Sequence, residues 1–243
     1  MECLNRKNIS IYYFLLIFIL LIMLIFCFLL SLFLSSQKSD EEIFSKSVYS
    51  VVEVKAHSED TGESFGSGVF VKSDGTLVTN SHVVTYRQMG EPRVFDNIEI
   101  RFSFENDYRS VTLIKYEEDL DIAILKLDDL NCNFEAIEFA DSKECRTGNL
   151  VYAVGNLNNV GISMTKGIVS NPSINVEYDE KIRNVIQCDL VIAEGNSGGA
   201  LLDRNGKLLG ITTFRLRDSS QNVIYGICYC VPAAAVVEYI NNK

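Results

Sequence analysis

The stretch FGSGVFVKSDGTLVTNSHVV, residues 65–84, decides the fold class. Phe65 to Lys72 and Thr76 to Asn80 are short runs rich in β-branched and apolar residues, and the polar turn Ser73-Asp74-Gly75 separates them, so the stretch reads as two strands joined tightly. The same grammar continues outward. Val48 to Ala56 precedes it across a polar turn at Thr61-Gly62. Ile98 to Phe102, Ser110 to Tyr116, Asp121 to Leu127, Leu150 to Gly155, Ile162 to Ser170, Lys181 to Cys188, Gly198 to Leu202, Lys207 to Phe214 and Asn222 to Val231 follow. Almost no amphipathic helical window lies between them, which predicts an all-β fold of antiparallel barrels or a sandwich. Helices are expected only at the edges. Ser39 or Asp40 can cap DEEIFSKSV, and Pro232 suits the first position of a helix over AAAVVEYI, where no backbone N–H is needed.

At 47% hydrophobic and 22% charged, with 15 Gly and 3 Pro in 243 residues, the chain is neither a disordered tail nor a low-complexity linker. Setting aside residues 1–38, with Arg6, Lys7, Lys38 and Glu2, leaves 19 basic and 31 acidic side chains, a net of −12. Such acidity argues against nucleic acid as a partner, because phosphate neutralisation needs clustered Lys and Arg. Ile11 to Leu34 carries no charge over 24 residues. At ~1.5 Å per residue it would span roughly 36 Å, enough for a hydrocarbon core of roughly 30 Å. It exceeds the usual apolar region of a cleaved signal, and no A-x-A-like site follows, so it reads as a single-pass membrane anchor. Arg6 and Lys7 precede it and Asp40, Glu41 and Glu42 follow it, which places the N-terminus in the cytoplasm and the bulk on the periplasmic or extracellular side.

The expected organisation is a cytoplasmic N-terminus over 1–10, the membrane helix over 11–34, a linker with a short helix over 35–46, a first β unit over 47–130, a polar connection over 131–148, a second β unit over 149–231 and a C-terminal helix over 232–243. Beyond the anchor lie Cys132, Cys145, Cys188, Cys228 and Cys230. The count is odd, and no C-x-x-C or His-rich cluster appears, so a metal is unsupported and no cofactor is implied. Cys228 and Cys230, at i and i+2, share one face of a strand and read as buried thiols, with a disulfide from Cys188 to either left open.

Gly195-Asn196-Ser197-Gly198-Gly199 folds backbone tightly around a serine and brings N–H groups toward one point. The pentapeptide also fits the nucleophile elbow of α/β-hydrolases, but that order needs a histidine after the serine, and the 46 residues beyond Ser197 contain none. A serine hydroxyl needs a base. His57 opens the polar stretch HSEDTGES and reads as a loop residue, whereas His82 sits in LVTNSHVV between apolar runs that would hold it. An acid must then fix the imidazole, and Asp121 at the mouth of DIAILKL is a carboxylate too costly to bury unpaired.

Together FGSGVFVKSDGTLVTNSHVV (65–84), DLDIAILKL (119–127), VYAVGN and TKGIVSN (151–171), IQCDLVIAEGNSGGALLD (186–203) and LLGITTF (208–214) resemble trypsin-like serine proteases of the HtrA/Deg type. The resemblance implies two six-stranded antiparallel β-barrels with a cleft between them, His82 and Asp121 from the first and Ser197 from the second. It implies acyl transfer: Ser197 attacks a peptide carbonyl, His82 is base and then acid, Asp121 orients His82, and an oxyanion hole forms at Gly195, Asn196 and Ser197. Val191 stands six residues before the serine, where a preference for Lys or Arg would need a carboxylate. With Ile192, Ala193, Ile211, Thr212 and Thr213 it implies a substrate-binding pocket for small or medium apolar residues of unfolded or extended polypeptide. Typical members carry PDZ domains after the protease and form trimers through an N-terminal segment. Here no PDZ domain is expected, and Phe44 and Tyr49 are the aromatics available for a homo-oligomer. The alternative is a protease-like domain that binds or chaperones polypeptide without cutting it.

Overall fold

The computed structural model describes residues 2–35, 38–178, 181–217 and 223–242. It divides into two units, Met1–Ser39 and Asp40–Lys243. The first is helix α1 (Glu2–Ser35). Its apolar segment Ile11–Ser31, 21 residues long, can cross a bilayer by length and composition.

The second unit begins with α2 (Asp40–Ser47), with Asp40, Glu41 and Glu42 in its first turn where the helix dipole favours negative charge. Eight strands follow, β1 (Val51–Ser58), β2 (Gly62–Phe70), β3 (Thr76–Thr79), β4 (Thr85–Gln88), β5 (Glu91–Val94), β6 (Asn97–Arg101), β7 (Arg109–Glu117) and β8 (Ile122–Leu127), with the single turn α3 (Ser81–Val84) between β3 and β4. After a connection come β9 (Leu150–Asn156), β10 (Ile162–Tyr178), β11 (Lys181–Asp189), β12 (Ala200–Asp203), β13 (Leu208–Arg217) and β14 (Val223–Pro232), then α4 (Ala233–Asn241). Two closed barrels result, β1-β2-β3-β8-β7-β6 and β10-β11-β14-β13-β12-β9, and all their strand pairs are antiparallel.

Closure follows from strands that are apolar on both faces. In the first barrel Phe70, Leu77, Ile100 and Leu125 point inward to one buried cluster. Their neighbours Val69, Val78 and Ile124 point outward, as the period of two requires, and meet Val154, Leu202 and Ile211 of the second barrel in another. That second cluster, which also takes Ile43 of α2 and Val236 of α4, makes the two barrels one body. The connection is strapped to both: Ile137 N–H donates to Phe70 O at 2.9 Å, and Leu208 N–H donates to Glu138 O at 2.8 Å.

Several boundaries differ from the sequence reading. β1 runs through His57, which pairs with Glu63 and Asn97 and lies 3.4 Å from the Glu99 carboxylate, so His57 is a strand residue and not a loop one. The hairpin β4–β5 was not expected. β10 continues past Ser170 to Tyr178, its pairing interrupted between Val169 and Asn171 and again between Asn171 and Ile174, where Pro172 is accommodated. Pro232 ends β14 at φ −61 and ψ 139 and flanks α4 instead of opening it. Cys188, Cys228 and Cys230 are buried free thiols, and Cys132 and Cys145 are free and half-buried. Phe44 packs against the inter-barrel cluster, while the Tyr49 ring meets that of Phe104 at a tilt of 40° with centroids 5.2 Å apart.

Candidate active site

His82 lies on α3, at the exit of β3, and Asp121 is the last residue of the four-residue loop joining β7 to β8. The antiparallel pairing of β3 with β8 sets them side by side. Asp121 adopts φ 54, a left-handed conformation that costs a non-glycine residue roughly 1–2 kcal/mol, and its surroundings over-determine it. Its carbonyl accepts from Asn80 Nδ2 at 2.7 Å. Its carboxylate accepts from Ser81 Oγ at 2.9 Å, from the His82 N–H at 3.2 Å and from Thr213 Oγ1. His82 Nδ1 lies 2.9 Å from both carboxylate oxygens. An ionised carboxylate only accepts, so Nδ1 carries the proton and Nε2 is left as the basic nitrogen.

The pair shifts both titrations. Burial works to push Asp121 up, but the charge of His82 and the hydrogen bonds from His82 and Thr213 prevail and hold the carboxyl below its ordinary value. For His82, loss of hydration pulls the pKa down. The charge and hydrogen bond of Asp121 outweigh that and leave it raised, with the Arg183 cation opposing them.

Ser197 sits in the loop before β12. Gly195 at φ 88 and Gly198 at φ 85 are obligatory there: a Cβ on Gly195 would come 2.1 Å from Asn156 O, and one on Gly198 would come 2.1 Å from Ser67 O. The loop is braced from the first barrel by Ser67 of β2, whose N–H donates to Ser197 O at 2.8 Å and whose Oγ donates to Gly195 O at 2.7 Å. From β13, Thr212 Oγ1 donates to Asn196 O, and the Gly198 N–H donates to Thr212 O at 2.8 Å. Glu194 O accepts from the Asn158 N–H at 2.8 Å, and in a trans peptide the Gly195 N–H then points away from Asn158. Neither the Gly195 nor the Ser197 N–H takes part in the described backbone hydrogen bonds of the loop.

His82, Asp121 and Ser197 line one cleft of about 650 Å³, together with Thr213, Ile192, Ala193 and Phe214. The Ser197 hydroxyl donates to Thr213 O at 2.9 Å and is not hydrogen-bonded to His82. The remaining expected pocket residues lie elsewhere. Val191 is 62% exposed, Ile211 is in the inter-barrel core, and Thr212 is buried behind the serine loop. Sequence reasoning missed Ser67, Ser81, Asn80 and Asn158. Only Asn158 left a signal, since the Asn158-Asn159 pair at φ 55 and 56 is the residue type that tolerates left-handed backbone.

A family model described as a trypsin-like peptidase domain matches residues 66–211. The chain is 34% identical over 179 residues to a DegP-like periplasmic serine endoprotease of Bartonella henselae, covering 72% of this chain and 32% of that protein. It is 34% identical over 177 residues to the periplasmic serine endoprotease DegP of Escherichia coli, covering 70% and 34%. The chain thus spans about a third of the length of the curated relatives it matches. Among solved structures, the HtrA-type protease AlgW with a tripeptide superposes with a TM-score of 0.71 at 28% identity, over 84% of this chain and 62% of that one.

Proposed function

Because the chain belongs to the trypsin-like serine peptidases, with relatives of the DegP/HtrA type, we propose that it is a membrane-anchored serine endopeptidase whose triad is His82, Asp121 and Ser197. The observation that carries this reading is the His82 Nδ1 contact to both Asp121 oxygens at 2.9 Å, in the same cleft as Ser197. The reaction begins with a turn of the Ser197 side chain from Thr213 O toward His82 Nε2, a hop between staggered rotamers. His82 takes the hydroxyl proton as Oγ adds to the peptide carbonyl. The resulting oxyanion lies at the N–H groups of Gly195 and Ser197, with Asn196 spanning them, and each donor is worth roughly 10²–10³ in rate. His82 then protonates the leaving amine, and water repeats the sequence on the acyl-enzyme.

The substrate is extended polypeptide with a small or medium apolar residue before the scissile bond, a reading supported by Ile192, Ala193 and Phe214 along the cleft. The N-terminal helix holds the catalytic domain on the outer face of the membrane, with the N-terminus in the cytoplasm. Assembly into a homo-oligomer would use the face of Tyr49 and Phe104, the latter 47% exposed.

Fluorophosphonate labelling and cleavage of denatured casein, each compared with Ser197→Ala, test the reading. Labelling and cleavage are expected only with Ser197. The resting contact of Ser197 with Thr213 also suits a domain that binds polypeptide without cutting it, and that reading wins if neither signal depends on Ser197.

A further inference from the structure

The β10–β11 hairpin belongs to the second barrel, yet its far end grips the loop that carries Asp121 in the first. Lys181, Arg183 and Val185 alternate onto one face of β11. Val185 is buried with Phe214 and Tyr229, and Lys181, Arg183 and Phe214 line the cleft. Arg183 Nη2 donates to Glu118 O at 2.9 Å and Nε donates to Asp119 O at 3.1 Å. Lys181 Nζ lies 2.6 Å from the Asp119 carboxylate and 3.6 Å from that of Glu118. Glu118 O also accepts the Asp121 N–H at 3.2 Å, so the carbonyl that Arg183 holds is the one that closes the loop onto Asp121.

We propose that Arg183 is a positioning residue for the peptidase reaction: its planar fork, carried by the second barrel, fixes the Glu118–Asp121 loop of the first and thereby the carboxylate that orients His82. The inference rests on the triad reading given above. A guanidinium presents two donors in one rigid plane, which suits two successive carbonyls, whereas an ammonium is a single point donor on a flexible stem. The geometry also couples the acid to the cleft itself. Ser197 comes from one barrel and Asp121 from the other, and Arg183 crosses between the two barrels beside the site they form.

A second consequence is electrostatic. The Arg183 charge lowers the affinity of His82 for a proton and opposes Asp121. The other charged groups facing the cleft are Glu118 on the same loop as Asp121, Arg87 on β4 and Lys181 on β11, both paired with Glu118, and Glu194 in the serine loop.

The test uses the detergent-solubilised full chain and a fluorogenic peptide with an apolar residue before the scissile bond. Arg183→Ala is expected to lower kcat roughly ten- to a hundred-fold with KM nearly unchanged, the size of effect that a small misplacement of a catalytic group produces. Its acid limb of kcat/KM moves to higher pH. Arg183→Lys keeps the charge without the fork, so the acid limb stays while kcat remains low. In a Ser197→Ala background, adding Arg183→Ala shifts the His82 ring titration upward by NMR, a readout that needs no turnover. Should Arg183→Ala not fold, Arg183→Gln replaces it. Wild-type kcat in Arg183→Lys, which keeps the charge and loses the two-donor fork, overturns the proposal. A shifted titration in a chain with no Ser197-dependent turnover sinks the peptidase reading and leaves the coupling of Arg183 to the His82–Asp121 pair standing.

Discussion

Ser67→Ala removes one oxygen that ties the nucleophile loop to the other barrel. Ser67 is fully buried, and its Oγ donates to Gly195 O at 2.7 Å and accepts the Asn156 N–H at 2.8 Å. Its main chain is held independently by Ser197 O, at 2.8 Å from the Ser67 N–H, and by Thr79 Oγ1, which donates to Ser67 O at 2.7 Å, so the substitution deletes only the hydroxyl. Two buried polar groups then lack a partner, at about 1–3 kcal/mol each. A total of roughly 2–6 kcal/mol is a large share of a typical 5–15 kcal/mol stability. At roughly 2–4 °C per kcal/mol for a domain of this size, the midpoint should drop by about 4–24 °C. In the proposed mechanism Gly195 also supplies an oxyanion donor, so kcat is expected to fall by at least about ten-fold, with KM changing less. Thermal denaturation followed by circular dichroism, with kcat measured well below the new midpoint, separates the two effects. A midpoint within about 1 °C of wild type and an unchanged kcat would refute the brace, because two orphaned buried groups cannot be that cheap.

Turnover should decline on acidification with its half-point above the ordinary histidine value of about 6.5, because His82 must be neutral to accept a proton and Asp121 raises its pKa; a half-point below that value in kcat/KM contradicts the pairing. By linkage, the raised His82 stabilises the fold below about pH 6.5 and loses that contribution as pH rises through its folded pKa. The depressed Asp121 stabilises it above about pH 3.9 and loses that as pH falls through its own, so urea midpoints should drop at both ends of this window. Gly198→Ala places a Cβ 2.1 Å from Ser67 O at φ 85, and fluorophosphonate labelling should vanish even where the variant stays soluble. An added protease should remove the domain beyond residue 40 from intact cells; protection of that domain reverses the proposed orientation.

The strands were legible where local pattern and tertiary role coincide. Thr76 to Thr79 and Ile122 to Leu127 are apolar runs ended by turn residues, and they pair as runs of that kind should. The β4–β5 hairpin escaped for a definite reason. Its turn residues Met89 and Gly90 both have positive φ, at 53 and 87, and a methionine in the first of these places is the opposite of the Asn-Gly signal that marks such a turn. Asn171-Pro172 looked like the end of β10, but the pairing shifts on either side of Asn171 let the strand absorb it and carry on to meet β11. That extension brings Arg183 to the loop that ends at Asp121.

Residue chemistry singled out Ser197, His82 and Asp121 as the proposed nucleophile, base and acid before any coordinates, because a Gly-rich turn around a serine, a histidine between apolar runs and a carboxylate at a strand mouth are each costly or reactive enough to mark themselves. The direction in which side chains point was another matter. Val191, Ile192 and Ala193 are contiguous in sequence, yet Val191 faces solvent while the other two line the cleft. Ser67 and Arg183 are ordinary polar residues in sequence. They acquire a role only because two barrels close separately and then pack, which brings hydrogen-bond partners as many as 128 positions apart in the chain within 2.7 Å. Composition and spacing carry no record of which barrel face will meet which.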